Sequence, residues 1–425
     1  MGKVVALLLV VVALIGAPLF AVILGGAAAG FYFNDIDLTV LAIELYRLTD
    51  STVLLALPLF TFAGFLLSES KTADRLVNAS QAAMGWLPGG MVLIGLMTCA
   101  FFTMLTGGSG VTIVALGGLL YPALMRSGYP SKFSLGLITT SGSLGLLLPP
   151  ALPLLVFAII AQQMNIPGVE VIDMFKAGLL PALLMIAVLY GYGLWANRNE
   201  EIPLTPFNFK TYVSAMWEAK WEILIPFVIV GGMISGILVI TEVAAVMVVY
   251  VLFIEVFIYK DISLKQLPKI MRDSMIMVGG ILLILGTALA FSNFLVDAEV
   301  PSRLFEFIQA HIDSKITFLI LLNILLLLLG AVLDIFAALV IMVPLLLPVA
   351  IGYGIDPVHL GIIFVANMQI GYFTPPVGMN LFIASYRFKK SITELYMATL
   401  PFMVVLMAVV LAITYIPWLS LVLVR

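Results

Sequence analysis

The sequence has few of the residues from which most catalytic and metal-binding sites are built. It contains a single cysteine, Cys99, and two histidines, His311 and His359, in 425 residues. One cysteine excludes a disulfide framework and any zinc or iron–sulfur site made of cysteines. Two histidines argue against a histidine-rich metal site and against a histidine-based catalytic triad.

Charged residues are equally scarce. Only 10% of the residues are charged and 63% are hydrophobic, whereas soluble proteins carry about 25% charged residues. So few charges cannot cover a surface that faces water, and the hydrophobic content excludes a disordered chain. The net charge of −3 offers no basic face to nucleic acid.

Long charge-free runs show which class remains. Most of the chain falls into runs such as Val4–Asn34 and Leu395–Val424, and a membrane-spanning helix needs about 20 apolar residues. A β-barrel is excluded because its strands are about 10 residues long and alternate in polarity. The first run is too long for a signal-peptide core of about 7–15 residues, so we expect an uncleaved helix. The sequence therefore predicts an all-α polytopic membrane protein.

Two of these runs are interrupted. Leu76–Met125 contains "TMLTGGSGVT" near its middle, and Phe133–Val169 contains "LLLPPALP". Glycine costs a helix about 1 kcal/mol and proline about 3 kcal/mol, so both segments predict broken helices. Broken backbone at membrane depth persists only when it is buried in protein or lines a polar cavity.

The breaks recur after 226 residues. With this offset Pro149–Pro150 falls on Pro375–Pro376 and Gly145 falls on Gly371, and no gap is needed over 108–158. A repeat with paired interrupted segments is typical of secondary transporters.

The distribution of positive charge tests whether the repeat is inverted. We interpret two segments as re-entrant hairpins, 88–126 with its tip at Thr106–Gly110 and 316–351 with its tip near Gly330–Asp334. Nine crossings then remain, at 4–29, 53–69, 133–163, 177–196, 221–239, 241–259, 273–296, 358–386 and 395–424. Fifteen of the twenty Lys and Arg residues fall on one side, which the positive-inside rule assigns to the cytoplasm. The N-terminus is then inside, the C-terminus is outside, and the repeat is inverted.

This topology divides the chain into six segments. Each repeat contributes plain helices, a hairpin and a broken helix. The predicted segments are 1–87, 88–163 (with hairpin 88–126 and broken helix 133–163), 164–220 (a helix and a cytoplasmic amphipathic linker), 221–315 (starting with the linker helix), 316–386 (with hairpin 316–351 and broken helix 358–386) and 387–425 (a final helix).

Functional groups are expected where a hairpin tip meets a broken helix, because unpaired carbonyls there coordinate Na⁺ and helix N-termini attract anions. The candidates combine hydroxyl, amide and glycine positions. They are Thr106, Gly107, Gly108, Ser109, Gly110, Thr139, Thr140, Ser141, Ser143, Gly145 and Leu147 in the first repeat, and Asp334, Asn367, Gln369, Gly371, Thr374, Gly378 and Asn380 in the second.

Simpler roles stay open for several of these residues. Glycine and serine often only permit close helix packing. Asp334 is either a functional carboxylate, as intramembrane acids are by default, or a helix cap. Glu242 is as well explained by capping as by transport. We expect Glu255, close to the inner interface, to reach the lipid headgroups.

The interrupted segments resemble the large membrane subunit, the DctM-type permease, of tripartite ATP-independent periplasmic (TRAP) transporters. The matching stretches are "TGGSGVTIVALGGLLYPALMRSGYP", "GSLGLLLPPALPLLVFA", "GGMISGILVITEVAAV", "GYGIDPVHLGI" and "GYFTPPVGMNLFIAS". They cover nearly the whole chain, and the paired Pro–Pro segments are the most specific. Where typical members carry "TPTEAAA" this chain has "VITEVAA", which leaves the role of Glu242 less certain.

The resemblance implies an elevator-type ion-transporter fold in a bacterial or archaeal inner membrane. In such a fold 88–163 and 316–386 would form a moving transport part, and the helices of 1–87, 164–220, 221–315 and 387–425 would form the scaffold. It implies Na⁺-coupled import of an organic anion, such as a C4-dicarboxylate, a sugar acid or a sulfonate. It also implies two partners, a small four-helix membrane (Q) subunit and a periplasmic substrate-binding protein. The coupling ions would be the only cofactors, and no enzymatic activity is expected.

On this reading the candidate residues divide into three sets. The substrate set is Ser109, Gly110, Ser141, Asp334, Thr374 and Asn380. The Na⁺ set is Thr106, Gly107, Gly108, Ser143, Gly145, Leu147, Asn367, Gln369, Gly371 and Gly378. The structural breaks are Pro149, Pro150, Pro375 and Pro376.

Three other functions compete with this one. A channel would also use broken helices but does not require an inverted repeat. An intramembrane enzyme would want a catalytic constellation, and Asp334 is the only well-placed acid. The strongest rival is a Na⁺- or H⁺-driven dicarboxylate carrier of the related ion-transporter class that needs no binding protein.

Overall fold

The computed structural model describes residues 9, 11–12, 17–47, 52–200, 202, 206–234, 238–312, 314–375 and 377–425. Every regular element in these ranges is helical, which confirms the all-α prediction for the described chain. The predicted break at Pro376 and most of the first half of the predicted crossing 4–29 lie outside the described residues.

The first half of the chain forms nine labelled helices. They are α1 (Leu19–Phe33), α2 (Thr39–Arg47), α3 (Ala56–Glu69), α4 (Thr72–Met84), α5 (Gly90–Thr106), α6 (Ser109–Arg126), α7 (Ser131–Ser141), α8 (Leu152–Gln163) and α9 (Val171–Ala196). Short 3₁₀ turns precede α3 at Thr52–Leu55 and follow α7 at Leu144–Leu147.

The second half adds eleven more. They are α10 (Phe209–Glu218), α11 (Lys220–Ile234), α12 (Ile240–Phe253), α13 (Leu267–Asp297), α14 (Val300–His311), α15 (Lys315–Val332), α16 (Ile335–Gly352), α17 (Pro357–Gly371), α18 (Met379–Phe388), α19 (Ile392–Tyr415) and α20 (Trp418–Leu421). Helix α19 ends earlier than the predicted crossing 395–424, because Pro417 follows it and cannot continue the backbone hydrogen bonds.

The helix boundaries repeat with the offset found in the sequence. Helix α6 at Ser109–Arg126 corresponds to α16 at Ile335–Gly352, end for end. The helices before and after each of them correspond within a few residues. Among the equivalent pairs are α4 and α14, which we call the first and second arm helices.

Helix length and composition give eight candidate membrane spans among the described residues, or nine if α3 and α4, which bend by 74° at Ser70–Lys71, count as one. Helices α6, α15 and α16 of the hairpins are among the eight. Helix length alone does not distinguish a re-entrant hairpin helix from one that crosses the membrane, so the re-entrance of the hairpins stays a prediction.

The first broken helix lies at the centre of the molecule. In the most apolar 18-residue stretch of this broken helix 94% of the residues are buried, whereas the buried share of the corresponding stretch is 39% in α6 and 44% in α19. This is the environment that a break requires, because protein groups rather than lipid surround the freed backbone.

A buried ion cluster joins the first arm helix to the second half of the chain. Arg75 of α4 donates to the carboxylates of Glu222, Glu255 and Asp261, with 3.2 Å from Nη2 to either Glu255 oxygen. The guanidinium lies 3.7 Å from the ring centre of Tyr259. Burial alone would lower the pKa of Arg75, but the surrounding carboxylates raise it above its ordinary value.

The cluster corrects the expectation that Glu255 reaches the lipid headgroups. Its side chain is fully buried, in a π-helical turn over Ile254–Ile258. There it binds Arg75, and it also accepts a 3.1 Å hydrogen bond from the Thr72 hydroxyl. The expectation was wrong because the partner is 180 positions away in the sequence.

Candidate functional site

The tip of the first hairpin is a two-residue turn between α5 and α6. Gly107 has a φ of 70°, a left-handed conformation that glycine adopts without a Cβ penalty, and its N–H donates to the Thr103 carbonyl at 2.7 Å. The Thr106 hydroxyl points back into α5, where it donates to the Phe102 carbonyl. Ser109 opens α6, and its hydroxyl is directed across to the other repeat.

The first broken helix turns its polar groups towards this tip. Helix α7 ends at Ser141, and the chain unwinds through the 3₁₀ turn before α8. Thr103 of the hairpin donates to the Gly142 carbonyl at 2.8 Å and contacts the Thr112 hydroxyl at 2.6 Å. The tip and the break of the first repeat are therefore in direct contact.

The tip of the second hairpin carries Asp334. One carboxylate oxygen accepts from the Phe336 N–H at 3.0 Å, so Asp334 caps α16. The other oxygen accepts from the Tyr372 hydroxyl at 3.2 Å, and that hydroxyl in turn accepts from the Ile335 N–H. Tyr372 thus fastens the tip to the second break, and nothing in the sequence pattern singled it out.

The second broken helix ends α17 at Gly371 and resumes at Met379. Thr374 donates to the Ile370 carbonyl at 2.8 Å, and Gly378 donates to the Ala331 carbonyl of the hairpin at 2.9 Å. Within the described chain, Asn367 Oδ1 and Gln369 Oε1 are buried carbonyl oxygens without a hydrogen-bond partner.

The two repeats also contact each other. The Ser109 hydroxyl donates to Asn380 Oδ1 at 2.8 Å, and the Asn380 amide donates to the Thr139 carbonyl at 3.4 Å. The Ser143 hydroxyl donates to the backbone carbonyl of Gln369 at 3.2 Å. Ser143 and Gln369 are equivalent positions of the repeat, so a pseudo-two-fold axis passes close to this contact.

Two of the predicted Na⁺ positions serve close packing. A Cβ added to Gly145 would lie 2.2 Å from the Ala100 carbonyl oxygen, and one added to Gly371 would lie 2.5 Å from the Gly330 backbone. Each broken helix therefore crosses the first helix of its own hairpin, α5 or α15, with backbone against backbone. Leu147 is similarly placed, because its carbonyl oxygen lies against α9 at Gly178.

A cavity of about 660 Å³ lies between the two tips. Its lining includes Gly107, Gly108, Ser109 and Gly110 of the first tip and Asp334 of the second. Ser68, Glu69 and Met277 of the predicted scaffold helices close another side. The predicted residues Ser141, Thr374 and Asn380 lie behind this wall, outside the set that lines the cavity. Glu69 was missed because its repeat equivalent, Leu295, is apolar.

Comparison with known proteins identifies the arrangement. A profile of the family described as "Tripartite ATP-independent periplasmic transporter, DctM component" matches residues 4–419. The chain belongs to the DctM family. The TRAP resemblance is thereby confirmed, and the expectation that the chain is not an enzyme agrees with membership of a transporter family.

Individual relatives cover almost the whole chain. A C4-dicarboxylate TRAP transporter large permease protein of Rhodobacter capsulatus is 35% identical over 97% of this chain and 96% of its own length. A 2,3-diketo-L-gulonate TRAP transporter large permease protein of Escherichia coli is 27% identical over 95% and 94%. An isethionate TRAP transporter permease protein DctMQ of Oleidesulfovibrio alaskensis is 34% identical, over 87% of this chain and 57% of the longer relative.

A solved structure supports the fold alone. The Alcanivorax borkumensis YdaH transporter, whose crystal structure is described as having an unusual topology, superposes with a TM-score of 0.63. The match covers 89% of this chain and 87% of that one at 14% identity. A DctM chain is thus a multi-span membrane permease and one component of a tripartite system.

Proposed function

We propose that this DctM chain imports a small organic anion in symport with Na⁺, by an elevator movement of the hairpins and broken helices against the scaffold. One observation carries the proposal: both hairpin tips reach a single cavity whose remaining wall includes predicted scaffold residues. A site shared between a moving part and a fixed part is what alternating access requires.

The charges around the cavity support cation coupling. Glu69 and Asp334 are carboxylates, and none of the described lining residues is Lys, Arg or His. The only ionisable side chains that an anion meets in the described lining, apart from Tyr372, are these two carboxyls, and an unpaired charge at membrane depth is costly. A cation that binds with the anion offsets this repulsion, so each ligand raises the affinity for the other.

The second break offers oxygens for the cation. Buried polar atoms almost always have partners, so the unpaired oxygens of Asn367 and Gln369 call for an explanation, and a bound ion is one. Both side chains lie in the last turns of α17, next to the break, where their oxygens and the carbonyls freed at the helix end could coordinate Na⁺ together. For the first repeat we propose the backbone oxygens around Gly107–Gly108 and Ser143.

The names of the relatives support a substrate class. Those named above are described as transporters of a C4-dicarboxylate, of 2,3-diketo-L-gulonate and of isethionate. All three are small oxygen-rich anions, and we propose the same class for this chain. The Ser109 hydroxyl, the backbone amides at the start of α6 and the N-terminus of α16 would bind its acidic group.

The proposed assembly has three components in the inner membrane and periplasm. The DctMQ name of one relative supports a small Q subunit as the membrane partner. A periplasmic substrate-binding protein would deliver the anion. The excess of Lys and Arg on one side supports an N-terminus inside and a C-terminus outside.

The test is uptake into proteoliposomes that contain this chain and its small subunit, with the binding protein added outside. Radiolabelled succinate, isethionate and 2,3-diketogulonate are offered with and without an inward Na⁺ gradient. We expect uptake of one of them that requires both Na⁺ and the binding protein. Equal uptake without the gradient would contradict Na⁺ coupling. Uptake without the binding protein would favour the rival function, a dicarboxylate carrier that needs no binding protein.

A further inference from the structure

Helix α10 has its apolar face turned outwards. Phe209, Val213 and Trp217 follow one another at intervals of four residues, which places them on one face. These side chains are 70%, 46% and 69% exposed, and none of the ten residues of the helix is buried. Asn208 caps the helix by accepting from the Lys210 and Thr211 N–H groups, so the element is well formed.

A second, polar face of α10 is also exposed, whereas Tyr212, Ala215 and Met216, which are half-buried, turn towards the protein. Thr211, Ser214 and Glu218 line a groove of about 420 Å³, whose other wall is the first arm helix with Asn78 and Gln81. A helix on the surface of a soluble protein keeps its apolar residues towards the core. The apolar stripe of α10 extends beyond the side that packs on the protein, so this part of it requires an apolar medium.

The outward stripe continues into a surface that faces the bilayer. Helix α11 starts only two residues after α10 ends, at Lys220, and exposes Leu224 and Phe227 on an apolar helix. Four of the five tryptophans belong to this region, Trp86, Trp195, Trp217 and Trp221. Tryptophan is enriched where a membrane meets water.

Cations accompany these tryptophans. Lys220 Nζ lies 3.4 Å from the ring centre of Trp217, and the Arg198 guanidinium lies 5.2 Å from that of Trp195. Lys210 is exposed next to Phe209 on α10 itself. Aromatic rings at the acyl boundary with cations beside them form the pattern of a helix that lies in the headgroup layer and attracts anionic lipid.

We propose that α10 is an interfacial anchor that binds the anionic phospholipid leaflet, with Phe209, Val213 and Trp217 inserted below the headgroups. The leaflet is the inner one if the topology proposed above holds, whereas the lipid contact itself does not depend on the transport function. The anchor would hold the groove and the first arm helix at a fixed depth.

Spin labels at two adjacent residues test this proposal. The full chain carries Cys99→Ala, which removes the one buried thiol, and either Val213→Cys or Ser214→Cys as a matched pair. The chains are reconstituted in phosphatidylethanolamine–phosphatidylglycerol liposomes, and collisions with oxygen and with a water-soluble nickel complex are measured. We expect oxygen to dominate at position 213 and nickel to dominate at position 214.

Equal nickel access at both positions would overturn the proposal, because the stripe would then face water. Loss of oxygen access at position 213 when the small subunit is added would also overturn it, because a protein partner would then cover the stripe. For the charge, Lys210→Gln with Lys220→Gln should abolish the preference for spin-labelled phosphatidylglycerol over phosphatidylcholine near the chain. An unchanged preference would remove the anionic part of the proposal.

Discussion

The two arm helices occupy equivalent positions of the repeat but are held by different forces. The first, α4, is tied by Arg75 to carboxylates from three other segments of the chain, two of them almost fully buried. Among the described residues, the second, α14, has only the pair Arg303–Glu299, 3.6 Å apart, with both side chains more than 70% exposed. The two copies of the repeat thus share the backbone course of the arm helix but not its ion pairs.

The attachments of the two arms differ as well. Arg75 fastens the first arm to α11 and to the end of α12, both predicted scaffold. The second arm packs against its hairpin through Phe305, whose ring lies 5.7 Å from that of Tyr353 at the end of α16. The first arm also contacts its own hairpin, since the Thr98 hydroxyl of α5 donates to Ser80 at 3.1 Å, so it joins this hairpin to the predicted scaffold.

Arg75→Ala is the change with the largest expected effect on this asymmetry. It leaves three carboxylates without their common cation, and breaking a buried ion pair costs about 3–5 kcal/mol. We expect a large drop in the thermal unfolding midpoint of the purified chain in detergent.

The partner change controls for this loss. Adding Glu255→Gln to Arg75→Ala removes one uncompensated charge and should restore part of the stability. If Arg75→Ala unfolds no earlier than the wild type, the cluster does not hold the first arm.

Replacing the glycine where each broken helix crosses its hairpin should lower stability and uptake by an intermediate amount, similar in the two repeats. Gly145→Ala and Gly371→Ala each force a Cβ against backbone, and overpacking of this kind costs about 1–3 kcal/mol. Both should lower the unfolding midpoint and uptake together. Gly191→Ala in α9 is the matched control, since an added Cβ meets nothing within 4 Å there.

The contact between Ser109 and Asn380 should contribute less to stability but more to transport. A buried hydrogen bond is worth about 1 kcal/mol, so Ser109→Ala and Asn380→Ala should be nearly non-additive in a double-mutant cycle. Both should change the Na⁺ concentration needed for half-maximal uptake. Unchanged Na⁺ dependence in both variants would contradict the assignment of this loop cluster to coupling.

Arg303→Ala should have the smallest effect. Exposed ion pairs contribute about 0–1 kcal/mol, so the unfolding midpoint should hardly move. A shift as large as that of Arg75→Ala would abolish the contrast between the two arms.

Local chemistry explains which parts were predictable from the sequence. Gly107–Gly108 and the Pro–Pro segments favour breaks by residue type, although the pairs Gly117–Gly118 and Gly279–Gly280 stay inside α6 and α13. The repeat, which places the breaks in pairs, is what singles them out. The polar wall formed by both tips follows from the same reasoning.

Long-range contacts explain what was not predictable. Arg75 meets Glu222 across 147 positions, and Tyr372 meets Asp334 across 38. No periodicity connects such residues, because side-chain partners between distant segments depend on how the helices pack. The unpaired oxygens of Asn367 and Gln369 likewise emerge only once their neighbours are placed.

The contact between Ser143 and Gln369 bears on how such a molecule can diverge. In a dimer of identical halves, a residue on the two-fold axis must be complementary to its own copy, as at any isologous interface. Joining the halves into one polypeptide lifts this constraint, since each copy can then mutate alone. Here the Ser143 hydroxyl donates to the backbone carbonyl of Gln369, whereas the Gln369 side-chain amide turns away to Met185, so the two copies of this position now have different partners.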